Sequence, residues 1–234
     1  MQAKYKRVLI KISGEALADS ESLFDSNKIA QIAQSIKTIV GLGVQVGIVI
    51  GGGNIFRGRS APDYMPKTDA DHIGMLATVM NSIMLKTELD QIDTKCSIMS
   101  AIDMYQICEK FAQRDAINRL EDGEVVIFAC GTGRPYFSTD TAAALRALEI
   151  DADILLCAKK VDGVYSCDPE QNKEAKKYDV LTYQQVVNEN LKALDQAAFA
   201  LCRDNNLSIF VFKLSPQGLI DAVCEGGVGT IISN

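Results

Sequence analysis

The 234-residue sequence has one histidine, His72, and no Gly-Lys dipeptide. A lone imidazole removes the paired-histidine spacing of zinc proteases and the H-R-D loop of protein kinases, and no G-x-S-x-G segment offers a serine-hydrolase elbow. Without Gly-Lys there is no P-loop of the form G-x-x-x-x-G-K-[ST]. No glycine run completes G-x-G-x-x-G either: Phe56 follows Gly51-Gly52-Gly53 and Tyr136 follows Gly131-Thr132-Gly133, so a dinucleotide fingerprint is weak. The seven cysteines show no C-x-x-C spacing, and their odd number in apolar settings fits reduced thiols. No window approaches the roughly 20 uninterrupted apolar residues of a membrane span, and the first apolar run is too short for a signal peptide. A soluble, cytoplasmic protein is expected. The net charge of −6 argues against nucleic-acid binding, which rests on clustered lysine and arginine. A small anion in a local positive pocket remains compatible.

With 47% hydrophobic residues, the chain can bury a large core. Short β-branched runs alternate with helical periodicity. Strands are expected at Arg7–Ile12, Val44–Ile50, Ser97–Ser100, Glu124–Cys130, Asp153–Cys157, Ser208–Phe212 and Thr230–Ser233. Helices are expected at Asn27–Val40, Ala70–Ile92, Asp103–Leu120, Thr139–Leu148, Tyr183–Asn190, Leu194–Asn205 and Pro216–Cys224. Such alternation predicts a mainly parallel sheet covered by helices on both faces. The segment Val161–Pro169, with Asp-Gly near its start and Asp-Pro at its end, reads as an excursion or hairpin. Any border between lobes falls near Ala158.

Two glycine-broken loops follow apolar runs at expected strand ends, GGGNIFRG at Gly51–Gly58 and GTGRPYFSTD at Gly131–Asp140. Glycine there lets backbone N–H groups approach phosphate oxygens, and ligands on open parallel sheets gather at the carboxyl ends of strands. Lys11 closes the first strand and precedes Ser13-Gly14-Glu15, so its ammonium can reach over the sheet edge. Arg57 belongs to the second cradle; Thr132, Arg134, Ser138 and Thr139 are donors in the third. Asp140 opens a helix. Its carboxylate either caps that helix or, amid phosphate-binding groups, holds a lysine or Mg²⁺. Tyr136 and Phe137 either pack beneath their loop or stack on a base. Met75, Leu76, Val79, Met80 and Ile83 form a stripe suited to core or subunit contact. Two facing anion cradles suggest transfer between two phosphorylated molecules.

KISGEAL at Lys11–Leu17, VIGGGNIFRG at Val49–Gly58, DHIGMLATVMN at Asp71–Asn81, GTGRPYFSTDTAA at Gly131–Ala143, AKKVDGVYSCDP at Ala158–Pro169 and LDQAAFALCRDNNL at Leu194–Leu207 occur in one order along the chain. Together they resemble the bacterial uridylate kinases (UMP kinases) of the amino acid kinase family. The resemblance implies a three-layer αβα sandwich around a mainly parallel open sheet, of the carbamate kinase-like kind. It implies a single domain over 1–234, with an acceptor (UMP) side over 1–158 and an ATP side over 159–234. The implied reaction transfers a phosphoryl group from ATP to UMP with Mg²⁺ held mainly by the ATP phosphates, in pyrimidine nucleotide biosynthesis, by a homohexamer.

The site residues implied by the resemblance follow the motifs. Lys11, Arg57 and Asp140 are the catalytic set. Lys11, Ile12, Ser13, Gly14, Gly53, Arg57, Lys159, Tyr165 and Asp168 are expected at ATP. Gly52, Asp71, Thr132, Gly133, Arg134, Pro135, Tyr136, Phe137, Ser138 and Thr139 are expected at UMP. Asp195 is a weaker candidate for organising metal. Arg134 and Lys159 stand where many relatives carry asparagine and threonine, and both add positive charge. Two other classes compete: a non-catalytic nucleotide sensor, which has little use for Lys11 and Asp140 together, and an oxidoreductase, for which the Ser13-Gly14-Glu15 turn is poorly formed.

Overall fold

In a computed structural model that describes residues 2–169, 171–172, 174–191, 193–224 and 227–234, every residue of the first strand, β1 (Arg7–Ile12), is buried. A 3-10 turn at Gly14–Leu17 leads to α1 (Ser26–Gly41) and β2 (Gln45–Ile50); a second at Gly58–Ser60 leads to α2 (Lys67–Gln91). β3 (Cys96–Ser100), β4 (Glu109–Lys110), α3 (Gln113–Glu121), β5 (Val125–Ala129), α4 (Thr139–Glu149) and β6 (Ile154–Lys159) follow. The antiparallel ribbon of β7 (Val164–Tyr165) and β8 (Lys177–Tyr178) comes next, as the Val161–Pro169 signals imply. The chain finishes with β9 (Val180–Thr182), α5 (Tyr183–Asn188), α6 (Gln196–Asp204), β10 (Ile209–Lys213), α7 (Pro216–Val223) and β11 (Gly229–Ser233).

Among the described residues, nine strands form one sheet in the order β4-β3-β5-β2-β1-β6-β10-β11-β9. Every pairing is parallel except β10 with β11. Alternation along each strand divides the core. Val8, Ile10 and Ile12 pack with α1, α2 and α7, while Leu9 packs with α3, α4, α5 and α6 on the other face. The result is the expected three-layer αβα sandwich.

Local chemistry explains the helices. Asp25 caps α1 by accepting the N–H groups of Asn27 and Lys28, and Ile29, Ile32, Ile36 and Ile39 form its buried stripe. Each fully buried isoleucine contributes about 2 kcal/mol. Ser215 caps α7, whose first residue is Pro216. The Met75–Ile83 stripe is divided: Met75 and Val79 are buried, whereas Leu76, Met80 and Ile83 are exposed.

One expected element is corrected. Residues 103–120 do not form a continuous helix; a loop and the edge strand β4 precede α3. Ile102, Met104 and Cys108 pack on the α1/α2 side, but Phe111, Ala116 and Ile117 pack on the α3/α4 side. No single helical stripe can serve both faces, so the chain passes over the sheet edge.

Strand order carries the two glycine loops to one place. β1 lies between β2 and β6, with Ile12 opposite Ile50 and Lys11 opposite Cys157, and β5 borders β2. The carboxyl ends of these four strands therefore open onto a common mouth, at the point where chain order reverses across the sheet.

Candidate functional site

Lys11 lies on the face of β1 opposite Ile10 and Ile12, next to α4, and is 9% exposed. Its Nζ is 2.8 Å from Asp140 Oδ1, and Lys159 Nζ is 3.5 Å from Asp140 Oδ2. The contact of Lys11 with Asp140 Oδ1 is thus a close, buried ion pair. Burial alone pushes the Asp140 carboxyl up; the ammonium groups of Lys11 and Lys159 outweigh it and hold the carboxyl below its ordinary value. Helix capping falls instead to Ser138, whose hydroxyl accepts the N–H groups of Asp140 and Thr141. Asp140 is thereby left free to hold lysines.

The glycine loops are fixed from beneath by α2. Asn81, wholly buried, donates to the Gly51 carbonyl at 2.6 Å and to Asn54 Oδ1 at 2.8 Å, and accepts from Asn54 Nδ2 at 3.0 Å. The Thr78 hydroxyl accepts the Cys130 N–H at 2.8 Å, where Cys130 and Gly131 turn with φ of 62° and 59°. Gly52 cannot carry a side chain, because a Cβ would lie 2.8 Å from the Gly74 carbonyl oxygen and from Ala77 Cβ. Gly133, at φ +72°, would place one 2.9 Å from the Ala101 carbonyl oxygen. These restraints shape the mouth before any ligand arrives. Asn81→Ala is expected to cost about 2 kcal/mol, since the Gly51 carbonyl and Asn54 lose buried partners; a lower urea midpoint with an unchanged m-value measures it.

Two cavities flank the Lys11–Asp140 pair. The larger, about 510 Å³, is lined by Lys11, Ser13, Glu15, Lys28, Lys159, Lys160 and Lys213 over an apolar floor of Ile32, Ala158, Leu214 and Pro216. Five lysines face one glutamate there, a local excess of positive charge in an acidic chain. The smaller, about 240 Å³, is lined by Gly52, Gly53, Arg57, Asp71, Thr132, Arg134, Phe137, Ser138 and Thr139. Thr139 lines the smaller cavity and its neighbour Asp140 pairs with Lys11 of the larger, so the ion pair lies beside both.

The remaining candidates fall into three groups. Asp71 accepts the Tyr136 N–H at 2.8 Å and pairs with Lys67, tying the start of α2 to the third cradle. Burial pushes its carboxyl up, but Lys67 and the Tyr136 N–H bring it below the ordinary value. Tyr136 is 72% and Phe137 54% exposed, so neither packs beneath the loop; Phe137 lines the smaller cavity, whereas Lys67 lies over the Tyr136 ring. Pro135 belongs to the same loop without lining the cavity. The Ile12 side chain is buried in the core and its carbonyl accepts the Gly51 N–H, leaving no Ile12 side chain for a ligand. Gly14 packs against Gly51 and Asn54. Tyr165 and Asp168 line a separate cavity of about 420 Å³ beyond β6.

From the sequence Asp195 is only a weaker candidate for organising metal, and Glu15, Lys28 and Lys213 have no role assigned. Asp195 caps α6 through the Ala198 N–H at 2.9 Å and accepts the hydroxyls of Thr141, at 3.1 Å, and Ser138. It braces the start of α4, a positioning role. Glu15 pairs with both Arg57 and Lys160, the latter at 3.1 Å. Burial pushes the Glu15 carboxyl up, and Lys160 and Arg57 together bring it below its ordinary value. Lys213 and Lys28 add charge to the larger cavity with no motif around them.

Solved structures share this fold over nearly their whole length. A UMP kinase from Bacillus anthracis is 42% identical, with a TM-score of 0.94 over 98% of this chain and 96% of its own. A UMP kinase from Ureaplasma parvum is 36% identical, with a TM-score of 0.94 over 99% of this chain and 100% of its own. A uridylate kinase from Archaeoglobus fulgidus is 29% identical, with a TM-score of 0.75 over 97% and 99%. The family model for the amino acid kinase family matches residues 6–213. That match runs from just before β1 to the end of β10 and takes in every strand whose carboxyl end opens on the two cavities: the chain belongs to the amino acid kinase family.

Proposed function

We propose that this protein is a UMP kinase, transferring the γ-phosphoryl group of ATP to UMP to give UDP and ADP. The observation that carries the proposal is the buried Lys11–Asp140 pair standing beside two cavities, one rich in lysine and one built from glycine loops. A phosphate oxygen of UMP, in the smaller cavity, attacks the γ-phosphorus; the bond to the β–γ bridging oxygen breaks and that oxygen leaves with ADP. Such transfer needs in-line positioning and cancellation of charge on the equatorial oxygens more than covalent help. Lys11 supplies charge at the reacting group, Asp140 sets its position, and Arg57, in the wall of the smaller cavity, reaches the junction to meet the ATP phosphates. The attacking oxygen is already ionised at neutral pH, so the absence of a catalytic histidine costs nothing.

The ATP phosphates belong with Lys11, Ser13, Gly14, Arg57, Lys159 and the main chain near Ile12 and Gly53, and Tyr165 and Asp168 take the adenosine end. UMP belongs with Gly52, Asp71, Arg134, Phe137 and the loop from Thr132 through Gly133, Pro135 and Tyr136 to Ser138 and Thr139. Residues 1–158 then form the acceptor side and 159–234 the donor side, with the end of β1 and the first turns of α1 shared. Among the described residues no cluster of three or more His, Cys, Asp or Glu could hold a metal alone. Mg²⁺ fits as an ion carried mainly by the ATP phosphates, where it would offset their charge. The exposed Leu76, Met80 and Ile83 row supports self-association, and a homohexamer is the assembly that goes with the UMP kinase reading. No described helix is long and apolar enough to cross a membrane. A cytoplasmic role in pyrimidine nucleotide biosynthesis goes with the UMP kinase reading.

A coupled ADP-release assay with UMP, CMP, glutamate and aspartate as acceptors tests the proposal. ADP release with UMP is expected; silence with UMP overturns it. Asp71→Asn is expected to raise the apparent KM for UMP roughly tenfold, the scale of one charge-assisted hydrogen bond, with a smaller effect on kcat. Unchanged UMP saturation in that variant would remove Asp71 from the acceptor site.

A further inference from the structure

Glu15 belongs to neither glycine cradle, yet among the described residues it is the one acidic side chain in the wall of the larger cavity. It follows β1 in the 3-10 turn, and its carboxylate draws together two cations from different parts of the sheet mouth. Arg57 comes from the loop after β2 and also donates from Nε to the Gly53 carbonyl at 3.1 Å. Lys160 comes directly after β6 and reaches Glu15 at 3.1 Å. One carboxylate thus ties the acceptor side to the donor side at the junction where phosphate must enter.

We propose that Glu15 is an internal stand-in for phosphate: it holds Arg57 and Lys160 together while the donor cavity is empty and gives them up to the polyphosphate of the incoming nucleotide. This rests on the UMP kinase reading for the identity of the donor, although the exchange itself requires only a polyphosphate. The pairing is suited to exchange. Lys160 is 80% exposed and the Arg57 and Glu15 side chains are 37% and 29% exposed, so water screens the contacts and weakens them. A polyphosphate carries several charges against the single charge of Glu15 and can also engage Lys11, Lys159 and Lys213. No covalent step is involved.

The test is calorimetric titration of inorganic tripolyphosphate into wild type, Glu15→Gln and Glu15→Asp, beside steady-state kinetics with ATP and UMP. Glu15→Gln should bind tripolyphosphate about fivefold more tightly, the scale of releasing one partly exposed ion pair, and should lower the apparent KM for ATP by a similar factor. Glu15→Asp keeps the charge but shortens the reach, and should fall between the two; it also serves if Glu15→Gln does not fold. Unchanged or weaker tripolyphosphate binding in both variants overturns the proposal. So does a fall in kcat with affinity unchanged, which would make Glu15 a fixed support for Arg57. Because the titration needs neither acceptor nor turnover, its outcome is separable from the assignment of UMP. Tighter binding with no ADP release on adding UMP would sink the UMP kinase reading alone, and ADP release with unaltered binding would sink the stand-in alone.

Discussion

Lys11→Ala is expected to lower kcat about a thousandfold at saturating ATP and UMP, with far smaller changes in either KM. Removing one preorganised donor or charge from a water-poor site costs roughly 10² to 10³ in rate, because the interaction strengthens as charge moves onto the transferring oxygens. Lys11 meets the conditions for the upper end of that range. It is 9% exposed, sits on a strand buried at every position, and is fixed by Asp140 at 2.8 Å. Lys159 cannot replace it, since it stands 3.5 Å away on the other oxygen of the same carboxylate and starts from a different strand. Lys11→Ala also leaves Asp140 less well compensated, so circular dichroism and a urea titration should accompany the kinetics. A folded Lys11→Ala enzyme with more than a tenth of wild-type kcat would show that the ammonium does not act on the transferred group.

The sheet mouth was legible in the sequence because strand and loop chemistry change abruptly there. Val44–Ile50 and Val125–Cys130 are apolar runs ended by glycine, and β2 and β5 end within a residue or so of those limits. Lys11 and Asp140 stood out as charges amid such loops, and the structure joins them. What stayed hidden depends on contacts between distant segments. Asn81 and Thr78 look like polar interruptions of a long helix, but their roles are set by the Gly51 carbonyl and the Cys130 N–H, which reach α2 only after the strands pair. The same is true of Asp195, whose partners Ser138 and Thr141 lie more than fifty residues away. The 103–120 segment misled because its apolar residues pass a helical count while serving opposite faces of the sheet. The two-residue strand β4, paired to β3 through Glu109 and Lys110, is too short to leave a period.

Asp140→Asn should separate the position of Lys11 from its charge. The variant keeps size and shape, but Lys11 and Lys159 lose the carboxylate that compensates them. Breaking a buried pair by removing one partner costs about 3 to 5 kcal/mol; Lys159 is 28% exposed on its side chain and can turn toward water, so about 3 kcal/mol is expected. Turnover should fall roughly a hundredfold, less than for Lys11→Ala, because the ammonium remains but is no longer held in place. The stability loss has a definite pH dependence. In the folded protein the Asp140 carboxyl is held below its ordinary 3.8, despite burial, by Lys11 and Lys159. A depressed carboxyl contributes fully above the unfolded value and loses that contribution as pH falls through the folded one. The gap in unfolding free energy between wild type and Asp140→Asn should therefore hold steady from about pH 5 to pH 8 and narrow below about pH 4. Urea titrations at pH 7 and pH 3.5 measure it directly. An equal gap at both pH values would mean that the loss comes from packing rather than charge, and wild-type turnover would mean that Lys11 is aligned without Asp140.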